Sequence, residues 1–451
     1  MAVVALTSTL VACSGGPSSS APTTPATPTP PAANYSVGGA VSGLAGSGLV
    51  LQNNAGNDLA ISADGSYTFS TPLASGAAYS VTVKTQPSLP AQTCTVASAS
   101  GTGTSAAVTT VSVSCAMTLY PPRFAYVANN TSNDVSAYTI DPSTGALTSV
   151  GAAVAAGTDP DFVTVDPTAK FAYVTNATSN DISAYTINAA TGALTSVGSA
   201  VVDGSAPYCI AVDPTGRFAY VVHTTGSTYA ISTYTVNATT GALTSLGSAV
   251  ATGYQPTSVT IDPRGKFAYV ANSAAHTVSA YTINATTGAL TSVGPAVATG
   301  SGPYTVTIDP RGKFAYVTNQ SSDTISAYSI NATTGALTSV GTAVATGTTP
   351  TTVTVDPTGI FAYVSNINSH DISAYTINAT TGALTAVGAA VAAGSTPYAV
   401  TVDSSGKFAY VADLGTNRVL TYTVNTSTGA LTSTGVLVSS GSRPMSIVTT
   451  H

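Results

Sequence analysis

The side chains able to do acid–base chemistry are few in this sequence of 451 residues. All 17 acids are Asp, there are four His and eleven Lys or Arg, and neither Glu nor Trp occurs. His223, Asp161 and Arg443 lie in short segments that vary while the sequence around them repeats. A His or an Asp can act as the base that activates water, and an Arg can hold an anionic group of a substrate. These three residues are therefore the candidates for catalysis.

Further residues in the same variable segments are candidates for ligand binding. A Tyr ring has an apolar face and a polar tip, which suits stacking on a sugar. Asp413, like His223, replaces an Asn that most other repeats carry at that position. Drift in exposed loops is the competing explanation for each residue, and a plain ion pair between Arg443 and Asp159 or Asp161 would explain those three. The ligand-binding candidates are Asp159, Tyr208, Tyr254, Gln255, Tyr304, Tyr398 and Asp413.

The composition excludes several classes of function. Charged residues make up 6% of the chain and the formal net charge is −6, so the clustered Lys and Arg that neutralise nucleic-acid phosphates are missing. A zinc site of the H-E-x-x-H type needs a Glu, and the G-x-S-x-G elbow of serine hydrolases is absent. We expect no metal, no cofactor and no nucleic-acid partner.

The N-terminus has the features of an export signal. Residues 1–12 are mostly apolar and end in Leu10-Val11-Ala12 before Cys13, although no Lys or Arg precedes the apolar run. This pattern resembles the lipobox of bacterial lipoproteins, in which the Cys is acylated and becomes the new N-terminus. Residues 14–33 are rich in Pro, Thr and Ser and predict an extended tether. Residues 1–13 are therefore interpreted as a signal and lipobox, with Cys13 as the lipidation site.

Residues 34–118 predict a small β-sandwich-like domain, since short alternating strands are separated by Gly-rich turns. Cys94 and Cys115 are placed symmetrically about a turn near Thr104, so they can face each other across a hairpin. In an oxidising compartment this arrangement predicts a disulfide. Cys209 lies inside an apolar strand without positive neighbours, which indicates a buried structural thiol.

From residue 123 to 451 the chain repeats itself. Phe-Ala-Tyr begins at 124, 171, 218, 267, 314, 361 and 408, and four strands can be counted in each repeat. Four-stranded units with a period of 40–50 residues are typical of propeller blades. A strand that begins at a Pro also occurs seven times, normally just before a Phe-Ala-Tyr strand. The first Phe-Ala-Tyr strand has no Pro strand before it. The last Pro strand, at Pro444, has no Phe-Ala-Tyr strand after it. The sequence therefore predicts an all-β, seven-bladed propeller closed by its C-terminal strand.

The stretches FAYVTN, DPxGK and NATTGAL are similar to those of the YVTN-type seven-bladed lactonase family, which includes 6-phosphogluconolactonase-like and carboxymuconate-cyclase-like proteins. The resemblance implies the propeller fold, and no catalytic residue carries over from it. Near-identical blades, a lipid anchor and a tether favour a binding or scaffold module of the bacterial cell envelope, with a carbohydrate, cell-wall or protein ligand. The alternative is a hydrolase of 6-phosphogluconolactone-like lactones.

Lipidation at Cys13 can be tested by cell fractionation. We expect the wild-type protein in the membrane fraction and a Cys13→Ala variant outside it, because the acyl chains on Cys13 would be the only membrane attachment. Mass spectrometry of the N-terminal peptide would report the modification. A wild-type protein that is already soluble and unacylated would contradict the prediction.

Overall fold

All regular secondary structure described in the computed structural model is β. The structure describes residues 33–102, 105–204, 206–224 and 229–450. The predicted signal, Cys13 and residues 14–32 of the predicted tether lie outside this part of the chain. No helix long and apolar enough to cross a membrane occurs in the part that is described.

The N-terminal strands form two four-stranded sheets that share one apolar core. The core includes Val41 and Val113 from one sheet and Leu51 and Val81 from the other, all of them buried. The first sheet runs Gly65–Thr68, Val37–Ser42, Val108–Met117 and Gln92–Ala97; the second runs Asn57–Ile61, Leu49–Asn53, Tyr79–Thr85 and Ser100–Gly101; Asn34–Tyr35 pairs separately with Leu73–Ala74. This is the predicted sandwich, because its alternating strands turn one face of each sheet inward.

The predicted disulfide is present in this sandwich. Cys94 and Cys115 are directly opposite each other in antiparallel strands, and their sulfur atoms are bonded. The thiol of Cys209 is buried, and burial raises its pKa to about 12, so it behaves as the structural Cys that the sequence indicated.

The repeats fold into seven antiparallel sheets. Blades 1 to 3 have strands at Phe124–Asn129, Asp134–Ile140, Leu147–Ser149 and Val154–Ala155; at Pro160–Val165, Phe171–Asn176, Asp181–Ile187, Leu194–Ser196 and Val201–Val202; and at Pro207–Val212, Phe218–His223, Ala230–Val236, Leu243–Ser245 and Val250–Ala251. Blades 4 and 5 have strands at Pro256–Ile261, Phe267–Asn272, Thr277–Ile283, Leu290–Ser292 and Val297–Ala298; and at Pro303–Ile308, Phe314–Asn319, Thr324–Ile330, Leu337–Ser339 and Val344–Ala345. Blades 6 and 7 have strands at Pro350–Val355, Phe361–Asn366, Asp371–Ile377, Leu384–Ala386 and Val391–Ala392; and at Pro397–Val402, Phe408–Asp413, Arg418–Val424 and Leu431–Ser439.

The C-terminal strand Pro444–Thr449 is the inner strand of blade 1. It pairs antiparallel with Phe124–Asn129, with Ile447 opposite Val127. This confirms the predicted closure, and it gives the backbone groups at the edge of Phe124–Asn129 the partners that an open ring would lack.

The outer strand differs from the single fourth strand that the sequence predicted. In blades 1 to 6 it consists of two short pieces that pair with the same third strand, for example Leu194–Ser196 and Val201–Val202 against Asp181–Ile187. A Gly lies at the turn between the pieces, Gly198 in this blade, and has φ +62°. Blade 7 has one continuous outer strand, Leu431–Ser439.

Neighbouring blades are joined by the repeated aromatic residues. The hydroxyl of Tyr126 donates to the carbonyl of Gly192 in the next blade at 2.9 Å, and the other six Tyr of the Phe-Ala-Tyr motifs do the same. Gly192 has φ +76°, and a Cβ there would lie 2.4 Å from the ring of Phe124. The Phe, the Tyr and the Gly of each repeat are therefore parts of one contact between blades.

The sandwich lies against the face of the propeller that carries the turns between the first and second strands. Arg264 in one of these turns donates from Nε to the carbonyl of Ala45 at 3.1 Å, and the N–H of Tyr120 donates to the carbonyl of Ser404. The opposite face of the ring carries the loops whose sequences vary from blade to blade.

Closure can be tested by removing the C-terminal strand. Deletion of residues 443–451 should lower the melting temperature by roughly 10 °C or more, since it removes an entire inner strand and exposes a strand edge. Deletion of nine residues within 14–33 is the control and should leave the melting temperature unchanged. A truncated chain as stable as the full one would show that the ring does not depend on this strand.

Candidate functional site

One face of the propeller carries all the variable loops. Each inner strand begins at its Pro on this face, so the loops before the inner strands and those between the second and third strands both lie there. We call this face the mouth. It holds two of the eleven cations, Arg418 and Arg443, and eight of the 17 Asp: Asp134, Asp159, Asp161, Asp181, Asp203, Asp323, Asp371 and Asp413. The opposite face holds eight Lys or Arg and seven Asp, and the sandwich holds the remaining Lys and two Asp.

The inner strands surround a central cavity of about 210 Å³. Its lining includes six of the seven residues that directly follow the mouth prolines, and their side chains differ in chemistry around the ring. These lining residues are Asp161, Tyr208, Thr257, Tyr304, Tyr398 and Met445. The cavity therefore begins at the mouth, where the sequence placed its candidates.

Three of these residues, Tyr208, Tyr304 and Tyr398, come together across the channel. Their hydroxyls form a closed ring of hydrogen bonds, of which the one between Tyr208 and Tyr398 is 3.2 Å long. The ring of Tyr304 is edge-on to those of Tyr208 and Tyr398, with centroids 6.3 and 6.2 Å apart. Burial raises the pKa of all three phenols, so they stay protonated. Their hydroxyls bond to one another and their rings meet edge to face, which differs from the open stacking platforms expected from the sequence.

Asp161 is the acid of the channel mouth. Asn130 donates from Nδ2 to Asp161 Oδ1 at 3.0 Å and fixes the orientation of the carboxyl. Burial, followed by the negative charge of Asp159, raises the pKa of Asp161 to about 7, although Asn130 and Arg443 oppose the shift. A carboxyl with this pKa at the wall of a cavity can take or give a proton at neutral pH.

Arg443 lies near Asp161 without forming an ion pair. Among the described residues, ion pairs within 4 Å join Lys84 to Asp58 and His223 to Asp203, so the predicted pairing of Arg443 with Asp159 or Asp161 is wrong. The cause is local: Arg443 has φ +57° and an exposed side chain, while Asp161 is held by Asn130 instead. Arg443 remains able to contact an anionic group at the mouth.

His223 does not join this group. Its side chain is 4% exposed and lies between blades 2 and 3, where Nε2 is 2.7 Å from the Ser232 hydroxyl and 3.6 Å from Asp203 Oδ2. Tyr234 donates a hydrogen bond to the other oxygen of Asp203. The same ring nitrogen, Nε2, lies near both Ser232 and Asp203. The structure thus separates His223 from Asp161 and Arg443.

The remaining candidates are mostly part of the loop framework. Asp413 is fully buried and accepts hydrogen bonds from the N–H groups of Ser395 and Thr396 and from the Thr416 hydroxyl, which gives it a structural role. Tyr254 is 58% exposed on the rim beside Gln255.

Asp159 takes part in a link that recurs between blades. In each link a left-handed Asn, Asp or His accepts a hydrogen bond from the N–H of the residue before the next Pro. The pairs are Asn133 with Asp159, Asn180 with Ala206, His276 with Gly302, Asp323 with Thr349, and Asn417 with Arg443.

Sequence reasoning missed Asn130, which orients Asp161. The signal was present, because this position is different in all seven repeats and only blade 1 has an Asn there. Asn130 is buried although it lies in a loop, as expected of a side chain that positions another.

Comparison with known proteins identifies relatives of the propeller. The model of the family described as lactonase, 7-bladed beta-propeller matches residues 95–211, 190–305 and 293–402, together more than half of the chain. No curated protein sequence matches significantly.

Solved structures share the fold at low sequence identity. A candidate 6-phosphogluconolactonase of Bacteroides uniformis is 20% identical, with a TM-score of 0.66 over 73% of this chain and 100% of its own. A second one, from Bacteroides fragilis, is 22% identical, with a TM-score of 0.65 over 73% and 98%. The periplasmic gluconolactonase of Pseudomonas aeruginosa is 18% identical, with a TM-score of 0.62 over 73% and 99%.

The pKa of Asp161 predicts how stability depends on pH. The pKa of Asp161 is about 7 in the folded chain, whereas an ordinary Asp has a pKa of 3.8. The folded chain therefore binds this proton more tightly than the unfolded chain does, and stability is lost as the pH rises from 3.8 to about 7. Asp161→Asn should remove on the order of 2 kcal/mol of this loss between pH 4.5 and pH 8, measured by urea unfolding. In Asp323→Asn, the control, the loss should persist. The same pH dependence in the Asp161→Asn variant as in the wild type would contradict the assignment.

Proposed function

Because the chain belongs to the lactonase family of seven-bladed β-propellers, we propose that it hydrolyses a lactone at the mouth, with Asp161 as the general base. The observation that carries this proposal is a carboxyl with a pKa of about 7 at the wall of the central cavity, oriented by Asn130. A general base works best when its pKa is close to the working pH. The nearby Tyr208, by contrast, stays protonated because burial raises its pKa, so it cannot act as the base.

In the proposed reaction Asp161 takes a proton from a water molecule at the cavity wall. The resulting hydroxide oxygen bonds to the lactone carbonyl carbon, and the carbonyl oxygen becomes an oxyanion. When the intermediate collapses, the bond between that carbon and the ring oxygen breaks. The proton held by Asp161 passes to the departing alkoxide, which leaves a hydroxy acid and the carboxylate of Asp161.

Arg443 is proposed to stabilise the negative charge that develops in this reaction. Its guanidinium is exposed at the mouth and is close enough to lower the pKa of Asp161 by its charge. A donor directed at an oxyanion typically contributes about 10²- to 10³-fold to kcat. The same cation would also attract the carboxylate of the product.

The family match supports hydrolysis better than the binding or scaffold role that the sequence favoured. The neighbouring channel residues add to this, because Tyr208, Tyr304 and Tyr398 bond to each other and do not present open faces to a polymer. A cell-envelope location remains part of the proposal. The contact between Arg264 and Ala45 places the sandwich on the face opposite the mouth, so a tether attached to the sandwich would leave the mouth open to its surroundings.

Hydrolysis can be tested with D-glucono-1,5-lactone in a pH-indicator assay. The wild type should show kcat/KM rising with pH to a plateau, with an apparent pKa near 7, since Asp161 must be ionised to act as a base. Asp161→Asn should lower kcat by about 10²-fold or more and abolish this rise.

The matched control is Asp323→Asn. It removes the same charge from the same face, and Asn already occupies the equivalent position in three other blades as Asn133, Asn180 and Asn417. This variant should keep the wild-type rate and pH profile. Efficient turnover by the Asp161→Asn variant would show that the base is another residue, and His223→Ala would then be the next variant to measure.

A further inference from the structure

The charges of the molecule are divided unequally between its two faces. The mouth has eight Asp and two Arg, a formal charge of −6, whereas the opposite face has eight Lys or Arg and seven Asp, a formal charge of +1. All eleven cations lie within the described residues. The formal net charge of the whole chain is also −6, so the negative potential is concentrated where the lactone would enter.

The two cations at the mouth do not reverse this charge locally. Both belong to the sector where blade 7 meets blade 1, since the N–H of Arg443 donates to the side chain of Asn417, the residue before Arg418. The same sector contains Asp134, at the start of a strand of blade 1, and Asp159 and Asp161 in blade 2. A phosphate dianion in proteins is usually held by several cations or by a helix N-terminus, and the described part of the mouth has no helix.

The rim of the mouth carries an aromatic pair that suits an uncharged ligand. The rings of Tyr229 and Tyr254 are 4.5 Å apart at an angle of 64°, and Tyr254 is 58% exposed. Unlike the three channel tyrosines, which bond to one another, Tyr254 leaves more than half of its surface exposed. An exposed Tyr face packs on the C–H groups of a sugar ring without needing charge.

From the charge division and this aromatic pair we infer that the mouth accepts an uncharged sugar lactone and discriminates against a phosphorylated one. The inference rests on the proposed function and adds the class of substrate to it. A phosphate dianion entering a mouth of charge −6 is repelled over the range of a Debye length, while a neutral sugar is not. Arg443 then stabilises the single negative charge of the oxyanion and does not bind a substrate phosphate.

The experiment compares D-glucono-1,5-lactone with its 6-phosphate at 20 mM and 300 mM salt. At low salt kcat/KM should be at least about tenfold higher for the neutral lactone. Added salt should raise kcat/KM for the phosphorylated lactone several-fold and leave the neutral lactone unaffected, because salt screens repulsion only for the charged substrate. A preference for the 6-phosphate, or a fall in its kcat/KM with salt, would overturn the inference.

A second measurement separates this inference from the proposed function. If neither lactone is hydrolysed faster than in buffer alone, the proposed function fails. Binding of gluconolactam and of its 6-phosphate, which resist hydrolysis, then still reports the preference of the mouth by isothermal titration calorimetry. Tighter or equal binding of the phosphorylated lactam, or no binding of the neutral one, would overturn the inference.

The aromatic contact is tested with two variants of Tyr254. Tyr254→Ala should raise KM for the neutral lactone about five- to tenfold with little change in kcat, because the ring binds sugar and does not touch the reacting atoms. Tyr254→Phe keeps the face and should retain the wild-type KM. A wild-type KM in the Ala variant would remove Tyr254 from the sugar site.

Discussion

The structure depends on one hydrogen bond that is repeated around the ring. Each Tyr of the Phe-Ala-Tyr motifs donates to a Gly carbonyl in the next blade, and the last of them, Tyr410, donates to Gly145 of the first blade at 3.0 Å. The phenols are fully buried, so each would leave an unsatisfied polar group if its partner moved. The ring of seven blades is therefore closed by these contacts as well as by the C-terminal strand.

This constraint explains why the repeats are nearly identical and where they are permitted to differ. Phe, Tyr and Gly lie in contacts between blades, where a change of one partner requires a change of the other. The mouth loops are outside these contacts, and their own framework needs only a left-handed Asn, Asp or His to hold the next blade. The framework leaves the side chains of Asp161, Asn130 and Arg443 free to vary, since only the backbone N–H of Arg443 takes part in it. One sector of a regular ring can therefore acquire its own chemistry.

The sequence predicted the parts of the structure that follow from repetition. The seven copies of Phe-Ala-Tyr and their phase relative to the inner strands were sufficient for the blade count and for the closure by Pro444–Thr449. The disulfide between Cys94 and Cys115 followed from hairpin symmetry. The broken outer strand was not predicted, because Val201–Val202 is too short to show a pattern beside the longer Leu194–Ser196.

The site was only partly predictable, since side chains from different blades meet there. The sequence placed Tyr208, Tyr304 and Tyr398 in variable segments next to the inner strands, but their convergence depends on the diameter of the channel. Asp161 was recognised as a possible base, whereas its partner Asn130 was not. His223 looked equivalent to Asp161 in sequence, and only the packing of blades 2 and 3 shows that it is buried against Asp203.

The central claim is that the chemistry lies at the mouth, beside Asp161. The most direct measurement is a crystal structure of the protein with gluconolactam, which mimics the lactone and is not hydrolysed. The account predicts the lactam at the mouth, with its carbonyl carbon one water molecule from the Asp161 carboxyl. A lactam bound elsewhere, for instance in the cleft where Lys266 and Lys313 face the sandwich, would contradict it.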